Sequence, residues 1–288
     1  MRIIITGGNG FLGKRLCRKL KSSEHELLSY DLVDGYDILN YDQLEKNFTV
    51  FKPNTIIHLA ACADLNIFAK IPEISYKVNV IGTRNILKLC QKYKCRLLFA
   101  STCCCYGNNH AHPSDETSPT CPTEPYAMSK KESELEILKV GLPHCCMRLA
   151  TFYGPEMRPA LAPAIFLDRA HNGETIEVHG SGEQTRTMTY VDDVVSGIVT
   201  VAESDPKYTV VNITTEEVTS VNDMIEHAKI LTGNDVECIN IKDRKGQIHK
   251  EIIYSKRLQS LGWKWETTFE EGMAKSYDYY KNNNNTWV

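Results

Sequence analysis

A tyrosine and a lysine, four residues apart, are the first side chains in this sequence whose spacing suggests proton chemistry. Tyr126 and Lys130 bound the stretch YAMSK. Side chains four positions apart lie on one face of a helix, so the lysine ammonium could stand beside the phenol ring. A nearby positive charge favours the phenolate and lowers the pKa of a phenol from its ordinary value of about 10. The pair therefore predicts an acid–base centre that acts on an alcohol or ketone oxygen.

The stretch FASTCCCYG, residues 99–107, places a hydroxyl and three thiols at the predicted end of a strand. Adjacent strand residues point to opposite faces, so we expect that Cys103, Cys104 and Cys105 cannot hold one metal ion together. The chain has 11 cysteines, an odd number, and no C-x-x-C pair. This pattern is not typical of a disulfide scaffold or a zinc site. We predict no metal site and expect most of the cysteines to be small buried residues.

A glycine-rich turn, TGGNGFLG, follows the first strand and opens the first helix. Gly7, Gly10 and Gly13 would allow a tight turn and close approach of a pyrophosphate, to which the helix N-terminus presents positive potential. Asp31 ends the second strand, where its carboxylate could accept a hydrogen bond from a ribose 2′-hydroxyl and would repel a 2′-phosphate. These residues predict a dinucleotide site that prefers NAD to NADP.

Strands and helices alternate through the first half of the chain, which is typical of a parallel, doubly wound sheet. After Gly154 the segments become shorter and turns more frequent, and we expect a smaller lobe over the carboxyl edge of the sheet. The predicted strands are 2–6, 26–30, 55–59, 96–101 and 145–149, and the predicted helices are 11–21, 41–51, 74–93, 126–139 and 191–202.

The G-x-x-G-x-x-G spacing combined with Tyr-x-x-x-Lys resembles the extended short-chain dehydrogenase/reductase superfamily, and within it the NAD-dependent nucleotide-sugar epimerases and dehydratases. The resemblance covers nearly the whole chain and includes HLAA at 58–61, NVIGT at 79–83, GEQTR at 182–186, YVDD at 190–193 and RKG at 244–246. It implies an α/β fold, a Rossmann-type doubly wound parallel sheet with a smaller mixed α/β substrate-binding lobe. The implied NAD-binding domain is 1–155 plus 187–214, and the lobe is 156–186 plus 215–288.

The resemblance also implies roles for individual residues. Thr102, four residues before Tyr106, would assist Tyr126 and Lys130 in catalysis. The implied substrate contacts are Cys103, Thr151, Arg158, Arg186 and Arg244, with the last two on a nucleotide diphosphate, since guanidinium groups bind phosphate oxygens in a fork. The implied cofactor contacts are Gly7, Gly10, Phe11, Leu12, Gly13, Asp31, Asp37, Ile38, Leu59, Ala60, Ala61, Asn79, Tyr126 and Lys130.

Departures from the family pattern bear on the reaction. The acidic residues that family dehydratases and decarboxylases carry after the catalytic threonine are Cys103 and Cys104 here, and a thiol is a poor acid for expelling water. We therefore favour an NAD-dependent 4-epimerase acting on a UDP-hexose or on a UDP-hexuronate, whose carboxylate Thr151 and Arg158 would hold. One alternative is a 4-ketoreductase in which Cys104 removes a proton beside the keto group. A second is a non-catalytic NAD-binding sensor.

The composition narrows the class of partner. A net charge of −3 gives no electrostatic reason to expect nucleic-acid binding. No apolar run approaches the roughly 20 residues of a membrane span, and the N-terminus has no signal-peptide pattern. We therefore expect a cytoplasmic protein that binds a nucleotide-diphosphate sugar. The resemblance implies a homodimer formed through the helices at 76–94 and 126–140.

Overall fold

The central feature of the molecule is a six-stranded parallel sheet in the strand order 2-1-3-4-5-9. The structure is a computed structural model that describes residues 1–64, 70–107, 113–243 and 249–287. The strands are β1 (Arg2–Thr6), β2 (Glu26–Tyr30), β3 (Thr55–His58), β4 (Arg96–Thr102), β5 (His144–Leu149), β6 (Thr151–Tyr153), β7 (Ile176–His179), β8 (Thr185–Tyr190), β9 (Val210–Ile213), β10 (Val218–Ser220) and β11 (Cys238–Ile241).

Helices cover both faces of this sheet. The helices of the described residues, including those that pack under the two smaller sheets, are α1 (Phe11–Lys21), α2 (Tyr41–Phe51), α3 (Pro72–Tyr76), α4 (Thr83–Tyr93), α5 (Pro125–Ile137), α6 (Ala162–Asn172), α7 (Val191–Glu203), α8 (Val221–Thr232), α9 (Lys256–Gln259) and α10 (Phe269–Asn282). Ile3 and Ile5 pack into one apolar core with α1 and α7, and Ile4 packs into the other with α2 and α4. All three isoleucines are fully buried, as expected where a parallel sheet is covered on both sides. The predicted fold class is confirmed.

Two small sheets lie beyond the central one. Strand β8 pairs in parallel with β6 and antiparallel with β10, and β11 pairs in parallel with β7. A separate apolar core beneath them joins α6, α8 and α10. Strand β8 crosses the predicted boundary at residue 187, so the small sheet draws on both predicted domains. The domain division itself stays a prediction.

The single helix predicted over 74–93 is interrupted. It begins at Pro72 and contains a π-helical turn, Lys77–Gly82, before α4. The Thr83 hydroxyl (2.6 Å) and the Ser133 hydroxyl (3.0 Å) both donate to the main-chain carbonyl of Asn79. Hydroxyl groups that occupy a helical carbonyl compete with the regular ladder of backbone bonds, which accounts for the wide turn at this point.

Candidate active site

A cleft of about 320 Å³ opens at the carboxyl ends of the central strands. Ala100, Ser101 and Thr102 contribute the end of β4, and the start of α1 forms the adjoining wall. Tyr126 and Lys130 project into the same cleft from the first two turns of α5. Ligand sites of open α/β sheets lie at this edge, because successive strand ends and helix N-termini meet there.

Strand β4 ends one residue beyond the predicted strand 96–101, so the three cysteines follow it and are not strand residues with alternating faces, as the prediction of no shared metal assumed. The strand ends at Thr102, and Cys103–Tyr106 form a 3₁₀ turn in which the Thr102 hydroxyl accepts from the Cys104 amide at 3.2 Å. The Cys103 thiol donates to the Arg148 carbonyl at 3.3 Å, and the Cys105 thiol donates to the Ala127 carbonyl at 3.8 Å. The Cys104 side chain lines the cleft. The predicted substrate contact Cys103 is thus buried outside the cleft wall.

Tyr126 and Thr102 line the same cleft, and the Thr102 hydroxyl is among the groups that act on the pKa of the Tyr126 phenol. Burial raises the pKa of the Tyr126 phenol above its ordinary value, and neighbouring Cys104 and Cys105 raise it further. Arg158 and the Thr102 hydroxyl act in the opposite direction. The pKa is thus raised and not lowered as the spacing of Tyr126 and Lys130 predicted, because burial outweighs the effects of Arg158 and Thr102.

Lys130 is almost completely buried and is held by the strand beside it. Its ammonium donates to the Ala100 carbonyl at 2.8 Å and lies 4.7 Å from the centre of the Phe99 ring. Burial lowers the pKa of Lys130 to about 8, because desolvation disfavours the charged form. The ring contact and the carbonyl are the groups that stabilise the remaining charge.

A buried ion pair fixes α5 against the ends of β4 and β5. The Arg148 guanidinium donates to both carboxylate oxygens of Glu134, and the Ser101 hydroxyl donates to the same carboxylate at 2.9 Å. Arg148 also donates to the Tyr106 hydroxyl at 3.0 Å, which in turn donates to the Asn212 side chain at 2.8 Å. This network connects the helix that carries Tyr126 to the strand that carries Thr102, so it controls their separation.

The glycine turn has the shape that a dinucleotide needs. Gly7 has φ +71°, and a Cβ on it would lie 2.7 Å from the Ala60 nitrogen. A Cβ on Gly13 would lie 2.0 Å from the Gly7 carbonyl oxygen, so the turn can close against the helix only with glycine there. Gly10, Phe11 and Leu12 line the cleft, and no side chain caps the N-terminus of α1. The exposed amides leave this end of the helix free to bind phosphate oxygens.

Asp31 and Asp37 are the two acidic residues among the predicted cofactor contacts, and the carboxylate of each accepts backbone hydrogen bonds. Asp31 accepts from the Asn9 amide (2.9 Å) and from the Val33 amide (3.1 Å), which places its carboxylate beside the glycine turn. Asp37 accepts from the Leu39 amide (2.8 Å) and precedes the buried Ile38.

Leu59 and Ala61 line the cleft, while Ala60 lies against the turn at Gly7. Asn79 is fully buried and faces away from the cleft. Its amide exchanges hydrogen bonds with the Cys62 backbone at 2.8 and 3.1 Å and donates to the Ser129 hydroxyl at 3.0 Å. Asn79 therefore ties the loop after β3 to α5 rather than contributing a free polar group to the cleft.

The predicted substrate residues lie along two adjoining cavities. Thr151 and Arg158 line the cleft that contains Tyr126, and Arg186 lines a second cavity of about 370 Å³. Thr151 and Leu161 belong to the walls of both cavities, so the two spaces adjoin. Arg244, the second predicted diphosphate contact, lies outside the residues that the structure describes.

Sequence reasoning missed one charged residue of the site. The Glu251 side chain lines the cleft and is 8% exposed as a residue, and its carboxylate lies 3.7 Å from the Arg186 guanidinium. Burial raises the pKa of Glu251, while Arg186 lowers it. The only signal in the sequence is a carboxylate next to the apolar pair Ile252 and Ile253, and this signal does not indicate which cavity the side chain faces.

Comparison with known proteins agrees with this site. The model of the NAD dependent epimerase/dehydratase family matches residues 3–214. UDP-glucuronic acid decarboxylase 1 of Xenopus tropicalis is 30% identical, over 97% of this chain and 72% of its own length. UDP-glucose 4-epimerase of Thermotoga maritima, solved with UDP-glucose, is 30% identical and superposes with a TM-score of 0.92 over 98% of this chain and 99% of its own.

UDP-glucuronic acid 4-epimerase of Bacillus cereus, solved with UDP-glucuronic acid and NAD, is 25% identical. Its TM-score is 0.89, over 98% of this chain and the whole of its own. No helix in the described part of the chain is long and apolar enough to cross a membrane. The glycine turn, the Thr102–Tyr126–Lys130 group and the family match lead to one conclusion: the chain belongs to the NAD-dependent epimerase/dehydratase family and is an enzyme whose cofactor is NAD.

Proposed function

We propose that the protein is a nucleotide-sugar 4-epimerase that acts by transient oxidation of carbon 4. The observation that carries this proposal is the placement of Thr102, Tyr126 and Lys130 in one cleft with the glycine turn. Similarity to UDP-glucose and UDP-glucuronic acid 4-epimerases supports it. When bound, NAD supplies a hydride acceptor and donor for carbon 4. Gly10, Phe11, Leu12 and Asp31 would hold it.

The protein side of the reaction is a proton transfer at the 4-hydroxyl of the sugar. Tyr126 takes the proton from this oxygen as carbon 4 is oxidised, and returns it after the 4-keto sugar has presented its other face. The Thr102 hydroxyl, which lowers the pKa of Tyr126, would donate a hydrogen bond to the phenolate and so offset part of the cost of forming the anion in a buried cleft. Because the hydride returns to the same carbon, the reaction consumes no reductant.

The adjoining cavity is the proposed binding site of the nucleotide. Arg186 lies at its junction with the catalytic cleft, where a guanidinium can bind the diphosphate that joins the nucleoside to the sugar. Apolar side chains of α6 and α8 line the remainder and would cover the base: Ile165, Phe166, Val221 and Met224. The size of the combined space suits a nucleoside diphosphate with one sugar.

The ketoreductase alternative receives less support from the site. Burial raises the pKa of Cys104 to about 12, and Glu251 raises it further, so the thiolate that this mechanism needs is disfavoured. Leu161 stands on the cleft wall near the expected position of the partner acid and cannot donate a proton. Cys104 is better explained as a small side chain that shapes the sugar site.

We also propose the homodimer that the resemblance implies, formed through the helices at 76–94 and 126–140, with α3 at the start of the first. Ile74, Met128 and Leu135 are apolar and about half exposed on these two helices, and the Tyr76 hydroxyl donates to Glu132 across them at 2.7 Å. Sedimentation should give a dimer that Leu135→Glu dissociates, and a monomeric wild type would contradict this proposal.

The 11 cysteines all lie in the described residues and are unpaired, which supports a reducing, cytoplasmic location.

The function is tested by following the sugar protons by NMR in D₂O with UDP-glucose, UDP-glucuronate and NAD. Formation of the 4-epimer without deuterium in the ring is expected, because hydride that returns directly does not exchange with solvent. Deuterium beside the keto carbon would favour the Cys104 alternative instead. A pentose product with release of CO₂ would show decarboxylation, and absence of turnover of both sugars would contradict the epimerase assignment.

A further inference from the structure

Glu251 is held in the cleft by backbone pairing on both sides of its segment. Its amide donates to the Thr185 carbonyl at 3.0 Å, and the Thr185 amide donates to the His249 carbonyl at 2.9 Å. Two residues further on, the backbone on either side of Ile253 pairs with Ser114 at 2.8 and 2.9 Å. Ile253 itself is 1% exposed and packs with Cys103 and Tyr106. The position of the carboxylate is therefore fixed by the fold and is not that of a loose surface side chain.

The charges that face the cleft are few. Among its described lining residues, Lys130, Arg158 and Glu251 are the charged ones. Lys130 is directed to the Ala100 carbonyl. Arg158 is about half exposed, and its guanidinium lies 3.4 Å from the Asp64 carboxylate and from the Ala63 carbonyl. A carboxylate on the substrate would have to compete with Asp64 for Arg158 and approach Glu251 at the same time.

The turn at 103–106 adds little hydrogen bonding for a substrate anion. The Cys103 thiol is committed to the Arg148 carbonyl, and the thiol of Cys104, which does line the cleft, is a weak donor. Near Glu251 the second acidic group is Glu124, which raises the pKa of Glu251 and so adds to the negative potential on this side. The single cation paired with Glu251 in the described structure is Arg186, which faces the nucleotide cavity.

From this arrangement we infer that Glu251 is a specificity-determining residue, which selects a neutral hexose and rejects a hexuronate. The inference rests on the proposed function, since it places carbon 4 of the sugar at Tyr126. Carbon 6 is then only two bonds from the reacting carbon, so a carboxylate there shares the cleft with Glu251. Hydroxyl groups of a neutral hexose donate hydrogen bonds to the Glu251 carboxylate, whereas a uronate carboxylate is repelled by it and offers no donor.

Glu251 changes the role that the resemblance implies for Thr151 and Arg158. Thr151 and Arg158 line the cleft as expected of a carboxylate-binding pair. Glu251 opposes that use of the cleft, because removal of an anion from water beside a buried like charge is costly. Discrimination between two partners commonly uses such a repulsive group in addition to attractive contacts.

The test is calorimetric binding to the NAD-loaded protein in a Tyr126→Phe background, so that the ligand is not converted during the titration. The ligands are UDP, UDP-glucose and UDP-glucuronate. UDP alone reports the effect of each variant on Arg186 and the diphosphate, so the ratio of the two sugar Kd values isolates the sugar site. We expect UDP-glucose to bind about tenfold or more tightly than UDP-glucuronate, and Glu251→Gln to reduce that ratio by about tenfold.

Two further variants control the measurement. Glu251→Asp keeps the charge and should keep the discrimination. Glu226→Gln removes the same charge from an exposed position on α8 and should leave the ratio unchanged. Equal affinity of the parent for both sugars, or an unchanged ratio in Glu251→Gln, would overturn the inference. Failure of the epimerase proposal appears separately, as absence of turnover of either sugar by the wild-type enzyme.

Discussion

The two walls of the active-site cleft are built in different ways. The catalytic wall consists of β4, the turn after it and α5, which a buried ion pair joins through Glu134 and Arg148. The other part of the cleft lining consists of short segments around Arg158 and Glu251, which are held by individual backbone bonds and, at Arg158, by a half-exposed ion pair. The groups that we propose for proton transfer therefore lie on a regular strand and helix, whereas Arg158 and Glu251, which we propose as substrate contacts, lie on irregular segments.

The largest expected effect on kcat comes from removing the Tyr126 hydroxyl at the centre of the catalytic wall. Tyr126→Phe should reduce kcat by about 10³-fold, because loss of a positioned acid–base group typically costs 10²–10⁴-fold. NAD bound per protomer should stay the same, since the phenol hydroxyl is not needed to close the glycine turn. Turnover is measured by NMR and bound NAD by absorbance after denaturation. Tyr93→Phe, which removes an exposed hydroxyl on α4, is the control, and full activity in Tyr126→Phe would refute the assigned role.

The rigidity of the catalytic wall is tested at its ion pair. Glu134→Gln should lower the free energy of unfolding by about 3 kcal/mol or more, because it leaves the buried Arg148 without its counter-ion. Glu132→Gln breaks a partly exposed pair with Arg84 and should cost under about 1 kcal/mol. Urea unfolding monitored by circular dichroism measures both. If the two variants lose equal stability, the buried pair does not have the role given to it here.

A third test on the catalytic wall measures how much the Thr102 hydroxyl contributes to kcat. Thr102→Val should reduce kcat by about 10- to 100-fold, which corresponds to loss of one hydrogen bond to a charged group. Thr102→Ser retains the hydroxyl and should recover most of the rate. Thr102→Val keeps the side-chain volume and loses the hydroxyl, whereas Thr102→Ser keeps the hydroxyl and loses a methyl group, so a rate that follows side-chain size instead of the hydroxyl would contradict the proposed role. Steady-state kinetics with the NAD-loaded enzyme gives the comparison.

A further prediction concerns the pH dependence of stability that arises from His58, at the end of β3 in the central sheet. Its ring is fully buried between the hydroxyls of Thr6 (2.6 Å) and Thr83 (3.0 Å), and burial, aided by Lys130, lowers its pKa to about 3. An unfolded histidine titrates at about 6.5, so between these values the unfolded chain holds more protons and stability falls as the pH falls.

The contribution of His58 should be about 1.4 kcal/mol per pH unit within that window. His58→Gln keeps a side chain that can bond to both hydroxyls and cannot titrate, so its stability should depend less steeply on pH from 6.5 downwards. Urea unfolding at several pH values gives the difference in slope between the two proteins. Parallel slopes would show that His58 does not remain neutral in the folded state.

Local sequence patterns were sufficient to predict the fold class and the cofactor, and they named the residues that we propose for catalysis. These depend on local patterns: a glycine turn between a strand and a helix, and a tyrosine and a lysine on one helical face. Each pattern spans a few residues, so spacing alone conveys the geometry. The π turn at 77–82 was not predictable in this way, because the hydroxyl groups of Thr83 and of Ser133 on α5 decide where regular backbone bonding stops.

The environment of the side chains in the cleft depends on the tertiary structure. Burial, which depends on the whole fold, raises the pKa of Tyr126 although Lys130 follows it on the helix. The three adjacent cysteines separate because each thiol has a partner far away in the chain or lines the cleft. Glu251 enters the cleft because its segment pairs with Thr185 and Ser114, which are distant in sequence. Long-range contacts of this kind leave no local pattern, so the sequence indicates the chemistry of the site while the fold determines which sugar it faces.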